Sequence, residues 1–374
     1  MAWRTFLCDL QGNPLSDISN VAYGRKYGET LGQPTSYSFS VDPRDPKINT
    51  IHTDGAPYLD YIRRTVRGYR YESGAWVLRF NGFVWPIQDD GDQSGNTMSA
   101  VTCFDPLIMF TKRFCRNTAN GSYIKVAFNA TDPSVMLRTL IDNSRTWSGP
   151  YGLSNAGSAI GLPAQSVEWS SKLMSEMLTE VTQGFDIRVL PVTGTTSTVG
   201  TFPVVANMGT LECLTRRGTT RTTQLGWRFA PNNIDTVKRI MDPADAVNVL
   251  VGVGSGESAV IAAVDGVSIG SYLQMEGLTS LPDSTNQTFL NNWVASQLYD
   301  RLPQQEAVSI GTGDAREIRP WVDFETGDTV TVTAHPSLRG GVLRTTKRIY
   351  GWSMDISDED DEIITFVTER EGGS

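Results

Sequence analysis

The chain has 374 residues, 39% hydrophobic and 20% charged, which supplies packed cores and excludes a wholly disordered polymer. At about 150 residues per domain, that length suggests two or three domains. The formal net charge of −9, with no basic stripe, argues against a protein that binds nucleic acid by neutralising phosphates.

Residues 1–112 read as strands. In YSFSVDP, Tyr37, Phe39 and Val41 alternate with serines until Pro43 stops the run. The stretch VRGYRYESGAWVLRFNGFVWPI places a turn at Glu72-Ser73-Gly74 and a kink or bulge at Gly82. TMSAVTCFDPLIMFTKR alternates through Met98, Ala100, Thr102 and Phe104, then turns at Asp105-Pro106. Short strands with regular turns suggest a small barrel or sandwich. The basic spots Arg63–Tyr71 and Thr215–Thr223 sit among strand-type residues and read as solvated strand faces.

After Arg116 the pattern changes. TDPSVMLRTLIDNSR begins with Thr131 or Asp132 as N-cap and Pro133 at the first helical position. Met136, Leu137, Leu140 and Ile141 then recur at helical spacing. SVEWSSKLMSEMLTEVTQGF predicts a second helix, with Trp169, Leu173, Met177, Leu178 and Val181 in one stripe and Gly184 as its stop. FDIRVLPV, VVANMGTLECLTRR and DAVNVLVGVGSG follow as strands. STNQTFLNNWVASQLYDRL predicts a third helix on Phe289, Leu290, Trp293, Val294 and Leu298, ended by Pro303. GDTVTVTAHP, LRTTKRIYGWSMDI and EIITFVTER close the chain as strands, with Val330, Val332 and Ala334 alternating against threonines. No short-period repeat is visible.

The motifs for chemistry are incomplete. His52 and His335 are the two histidines, and neither belongs to a paired or HExxH spacing. Cys8, Cys103, Cys115 and Cys213 form no CxxC pair and read as buried free thiols. Gly252, Gly254 and Gly256 lack both the dinucleotide and the phosphate-loop spacing. Asp90–Gly95 begins like a calcium loop, but Val101 stands where a bidentate glutamate is required. The acidic run Asp355, Asp358, Glu359, Asp360, Asp361 and Glu362 lies between two strands, as a hairpin tip does; paired carboxylates for glycoside cleavage are the less favoured reading. No apolar run is long enough for a membrane span, and no signal peptide is visible. The expectation is a non-enzymatic chain with no catalytic residues, no metal and no cofactor.

Several segments in order carry a resemblance: PTSYSFSVDPRDP, then WVLRFNGFVWPI paired with MSAVTCFDPLIMFTKR, then SVEWSSKLMSEMLTEVTQGFDIRV, DAVNVLVGVGSGE, and GDTVTVTAHPSL with KRIYGWSMDISDEDDEIITFVTE. Together the chain resembles the tail-hub or baseplate-hub proteins, minor tail proteins of long-tailed phages, in particular those of actinobacteria. The resemblance implies a β-rich α+β fold of two small β-barrel domains with a mixed α/β domain between or inserted. The corresponding boundaries are 1–112 for the first barrel, 113–201 plus 257–304 for the mixed domain, and 202–256 plus 305–374 for the second barrel. It also implies a homotrimeric ring at the virion tail tip, made in the host cytoplasm. Its partners would be the distal tail protein ring, the tape-measure protein, tail spike or receptor-binding proteins, and DNA passing without sequence recognition. Trp76, Phe80, Phe83 and Trp85 are then candidate interface residues. A carbohydrate-binding adhesin of the same particle is the alternative, and a glycan hydrolase a third reading. TEREGGS follows the last strand closely, so no lytic module is expected.

Overall fold

The computed structural model describes residues 3–92, 95–116, 125–182, 185–194, 196–197, 205–227, 233–240, 246–254, 260–271, 273–280, 287–302, 307–311, 318–334, 342–357 and 361–368. The protein is β-rich, and its main feature is one 13-stranded sheet. Twelve of those strands fall into two sections. The first holds β1 (Trp3–Asp9), β2 (Tyr23–Thr30), β3 (Ser36–Val41), β4 (Arg64–Glu72), β5 (Ala75–Gly91) and β6 (Thr97–Phe104). The second holds β7 (Thr220–Trp227), β8 (Thr236–Ile240), β9 (Ala307–Gly311), β10 (Thr329–Ala334), β11 (Leu343–Ile356) and β12 (Glu362–Thr368). The strand Pro14–Asp17 adds to the outer edge of β1.

The two sections have the same strand order. The first runs β1-β4-β5-β6-β3-β2 and the second β7-β10-β11-β12-β9-β8. Register carries the match to single residues. Thr65 opposite Phe83 corresponds to Thr329 opposite Arg348, and Val66 opposite Gly82 to Val330 opposite Lys347. Both long strands change partner midway, and the register slips at the same place, between Val84 and Ile87 in β5 and between Ile349 and Gly351 in β11. One pairing differs: β1 and β4 are antiparallel, β7 and β10 parallel.

The expected two barrels are not two separate closed sheets. Among the described residues the strand path stays open, and β2 pairs with β11 to join both sections into one sheet. The first section curls until its ends meet through side chains. Arg25 Nη1 donates to the Trp3 carbonyl at 3.4 Å, and the Trp3 and Tyr27 rings lie 6.2 Å apart. Tyr37, Phe39 and Val41 are buried in the phase their alternation predicts, and so are Val330, Val332 and Ala334. All belong to one core, with Trp3, Phe80, Val101, Trp352, Met354 and Phe366. In β6 the buried residues are Ser99, Val101 and Cys103, whereas Met98 and Ala100 are exposed. Gly82 lies outside the bulge; a Cβ there would stand 2.2 Å from the Phe104 carbonyl, so glycine permits a close approach of β5 to β6.

A second core lies within residues 107–213. The helix Pro133–Ser148 buries Met136, Leu137, Leu140 and Ile141, as its spacing predicts. Asp132 is its N-cap and accepts from the Ser134 amide at 2.8 Å. The second helix is shorter than its apolar stripe suggests. Gln165–Trp169 is a strand paired with Val126–Thr131, and the helix covers Met174–Val181 only. Trp169 is still buried in the same core, which is why its position fits both periods. A third core gathers Val247, Leu250, Leu290, Trp293, Val294, Leu298 and Leu302 around the helix Gln287–Asp300. No helix among the described residues is long and apolar enough to cross a membrane.

Candidate assembly surface

Two of the four candidate interface residues are consumed inside the chain. Phe80 is 1% exposed and stacks on Tyr37 with centroids 5.4 Å apart. Phe83 is also buried. Trp76 and Trp85 are half-buried. Trp76 lies under the Arg4 guanidinium, 4.7 Å from the ring centroid, and beside exposed Tyr71 at 5.2 Å. A bulge explains the split: the register slips between Gly68 opposite Phe80 and Tyr69 opposite Leu78, so Trp76 and Phe80, four residues apart, fall on opposite faces. Phe80 points into the core, whereas Trp76 lies near the Ser73-Gly74 turn, where both residues have positive φ.

The junction between the two sections is built from a strand edge on each side. β2 lays Arg25 to Thr30 against Ile356 to Gly351, and Lys26 meets Asp355 at 2.8 Å across that register. Beyond it, buried Glu29 accepts from the Arg217 guanidinium and from Tyr27 Oη at 3.1 Å. Burial together with the Glu29 charge pushes the Tyr27 hydroxyl well above its usual range, so it remains a donor.

Equivalent edges are left open elsewhere. β8 ends the sheet path, so its outer edge has no strand partner among the described residues. β5 pairs with β4 only as far as Phe83, and beyond the bulge Ile87 to Gly91 pair with β6 alone. Gln88, Asp89, Asp90 and Gly91 are exposed. Asp89 still accepts from Ser99 Oγ at 2.5 Å.

The places where sequence allowed chemistry are occupied by structural contacts or lie outside the described residues. Glu362 accepts from Trp3 Nε1 at 2.7 Å and from Arg70 Nε at 2.9 Å, tying β12 to β1 and β4. Asp355 is the Lys26 partner, and Asp358, Glu359 and Asp360 are outside the described residues. His335 and residues 255–259 of the glycine-rich stretch are outside them as well. His52 Nδ1 stands 3.4 Å from Asp54, whose carboxylate grips Arg64 at 2.7 and 2.9 Å. The Arg64 hydrogen bonds hold the Asp54 carboxyl well below the usual range. In the Asp90–Gly95 loop, Asp92 accepts from the Asn96 amide at 3.0 Å as a turn residue does, and residues 93–94 are not described. The four cysteines are buried and free. A groove of about 340 Å³ lies between the sheet and the second core, but the cations on its wall are paired: Arg217 with Glu29, Arg79 with Glu72, and Arg188 with Glu212. Sequence patterning missed Lys26, Asp355 and Glu362 as junction residues, because a contact between ends of the chain leaves no local spacing to read.

No family model matches the sequence, and no curated protein matches it. Solved structures do match. The tail protein from Neisseria meningitidis MC58 aligns with a TM-score of 0.63 at 11% identity, covering 100% of this chain and 98% of that one. The 43 kDa tail protein of prophage MuSo2 from Shewanella oneidensis aligns at 0.62 and 9% identity, over 98% of each chain. Prophage tail protein gp18 from Listeria monocytogenes EGD-e aligns at 0.57 and 12% identity, over 98% of this chain and 95% of that one. The chain therefore has the fold of phage tail proteins from end to end.

Proposed function

We propose that this chain is a structural virion protein, the subunit of a trimeric tail-tip hub. The hub would close the tail tube, link the distal tail and tape-measure proteins, and support receptor-binding or spike proteins while DNA passes. The observation that carries the reading is the duplicated strand order, β1-β4-β5-β6-β3-β2 beside β7-β10-β11-β12-β9-β8. Two equivalent sections per chain turn three copies into six quasi-equivalent units, which suits docking on a sixfold tube. In the ring, each section acts as one barrel-like wall element. The −9 net charge fits a channel that does not hold a phosphate backbone. A non-catalytic role is part of the proposal. It is supported by the carboxylates at the ends of the acidic run, Asp355 and Glu362, being engaged by Lys26 and Arg70.

The test is the mass of the purified chain across concentration, with electron microscopy of the particles formed. Threefold rings with a central hole support the hub. A monomer that binds glycans and never forms rings favours the adhesin reading instead. Measured turnover of peptidoglycan would overturn the non-catalytic assignment.

A further inference from the structure

The duplicated register specifies a contact that one chain cannot make with itself. Within the chain, the edge of β2 pairs with the far half of β11, and that half is available because β10 stops pairing at the bulge. By the register matches, β11 corresponds to β5, so Ile356, Asp355, Met354 and Ser353 map onto Gly91, Asp90, Asp89 and Gln88. The chain of pairings through β12 and β9 maps Arg25, Lys26, Tyr27 and Gly28 onto Val237, Lys238, Arg239 and Ile240 of β8. Both mapped edges, β8 and the far half of β5, lack a strand partner among the described residues.

We infer that β8 of one copy pairs antiparallel with the far half of β5 in the next copy, repeating between chains the β2–β11 junction made within each chain. The register then places Gly91 opposite Val237, Asp90 opposite Lys238, Asp89 opposite Arg239 and Gln88 opposite Ile240. This inference rests on the ring reading and deepens it by naming the edges that close the ring. Residue type supports the register independently of topology. The intrachain junction sets Lys26 against Asp355. The same two positions of the intermolecular junction are Lys238 and Asp90, again a lysine opposite an aspartate in the register. A lysine on an edge strand ordinarily deters pairing. An aspartate at the matching place on the complementary edge converts that deterrent into partner selection. The contact is heterologous, joining different patches of the two copies, so repetition closes a ring when the rotation per step allows it.

Paired Cys substitutions test this directly, because opposed cross-strand residues bring their Cβ atoms within reach of a disulfide or a short bismaleimide. The chain carrying Asp90→Cys and Lys238→Cys together is oxidised and run on a denaturing gel. Covalent dimers and trimers are expected, with far weaker bands for either single variant. Lys26→Cys with Asp355→Cys is the internal control and closes within one chain. Rings that form but carry no 90–238 cross-link overturn this edge pairing and leave the hub reading standing. A chain that stays monomeric up to its solubility limit overturns both. In parallel, Asp90→Lys or Lys238→Asp alone should weaken self-association about tenfold, and the two together should restore it. Failure of the double reversal to restore association also overturns the register.

Discussion

Asp105 is where a single side chain makes stability depend on pH. It closes β6, and its two oxygens accept from the Leu107 amide at 2.9 Å and the Thr35 amide at 3.0 Å. Burial outweighs those bonds and pushes the carboxyl up to about 7. The unfolded value is about 4, so the folded state holds an extra proton between the two. Stability from this group is therefore fully present below about pH 4 and is lost as pH rises through about 7. Asp105→Asn removes the titration and keeps one acceptor. The variant should be the less stable protein at low pH, and its deficit should shrink as pH rises, by at most about 1.4 kcal/mol per unit. Urea unfolding of both proteins across that interval measures the gap. A deficit that stays constant would mean the carboxyl is ionised throughout.

Among the elements, the helix Pro133–Ser148 shows what local sequence can specify. Pro133 and Asp132 start it as their types require, and its four buried apolar residues repeat at helical spacing. Asp132 also reaches outward, accepting from the Gly161 amide at 2.9 Å and the Leu162 amide at 3.0 Å. Asp132→Ala should thus cost more than an ordinary cap, about 2 kcal/mol in chemical denaturation. A loss of only a few tenths would mean the loop at 160–162 is held by other contacts. The same periodic logic recovers the buried face of β3 and β10 and the helix on Leu290, Trp293, Val294 and Leu298. It misassigns Gln165–Trp169 because Trp169 is buried whichever period is imposed, and only pairing with Val126–Thr131 decides for a strand. It also credits Phe80 with a contact role, although its position on β5 turns it into the core. The duplication was hidden for a related reason. Register is conserved between the sections while residue types mostly are not: Gly82 matches Lys347, Phe83 matches Arg348 and Ile87 matches Trp352, although Asp90 matches Asp355. A repeat of hydrogen-bond geometry needs only alternating strand-formers, so no sequence period marks it.

Across the whole molecule, stability should be graded by core. The sheet core draws on both ends of the chain, from Trp3 to Phe366, and Glu362 fastens those ends to each other through Arg70 and Trp3. The core around the helix Gln287–Asp300 draws only on residues 247–302 and is the smallest of the three among the described residues. Its partner strands Val249–Val253, Val260–Val264 and Glu276–Ser280 form a separate three-stranded sheet. Exposed Leu273 and Leu278 add nothing to its interior. Less buried apolar area means a lower free energy of local opening. Native-state hydrogen exchange in mild denaturant should therefore release the amides of Gln287–Asp300 before those of Ile349–Ile356. The gap should close only as global unfolding takes over. In the hub reading this small unit can open while the wall stays shut, because no strand of it belongs to the 13-stranded sheet. Equal protection of the two segments at every denaturant concentration would show instead that all three cores unfold as one.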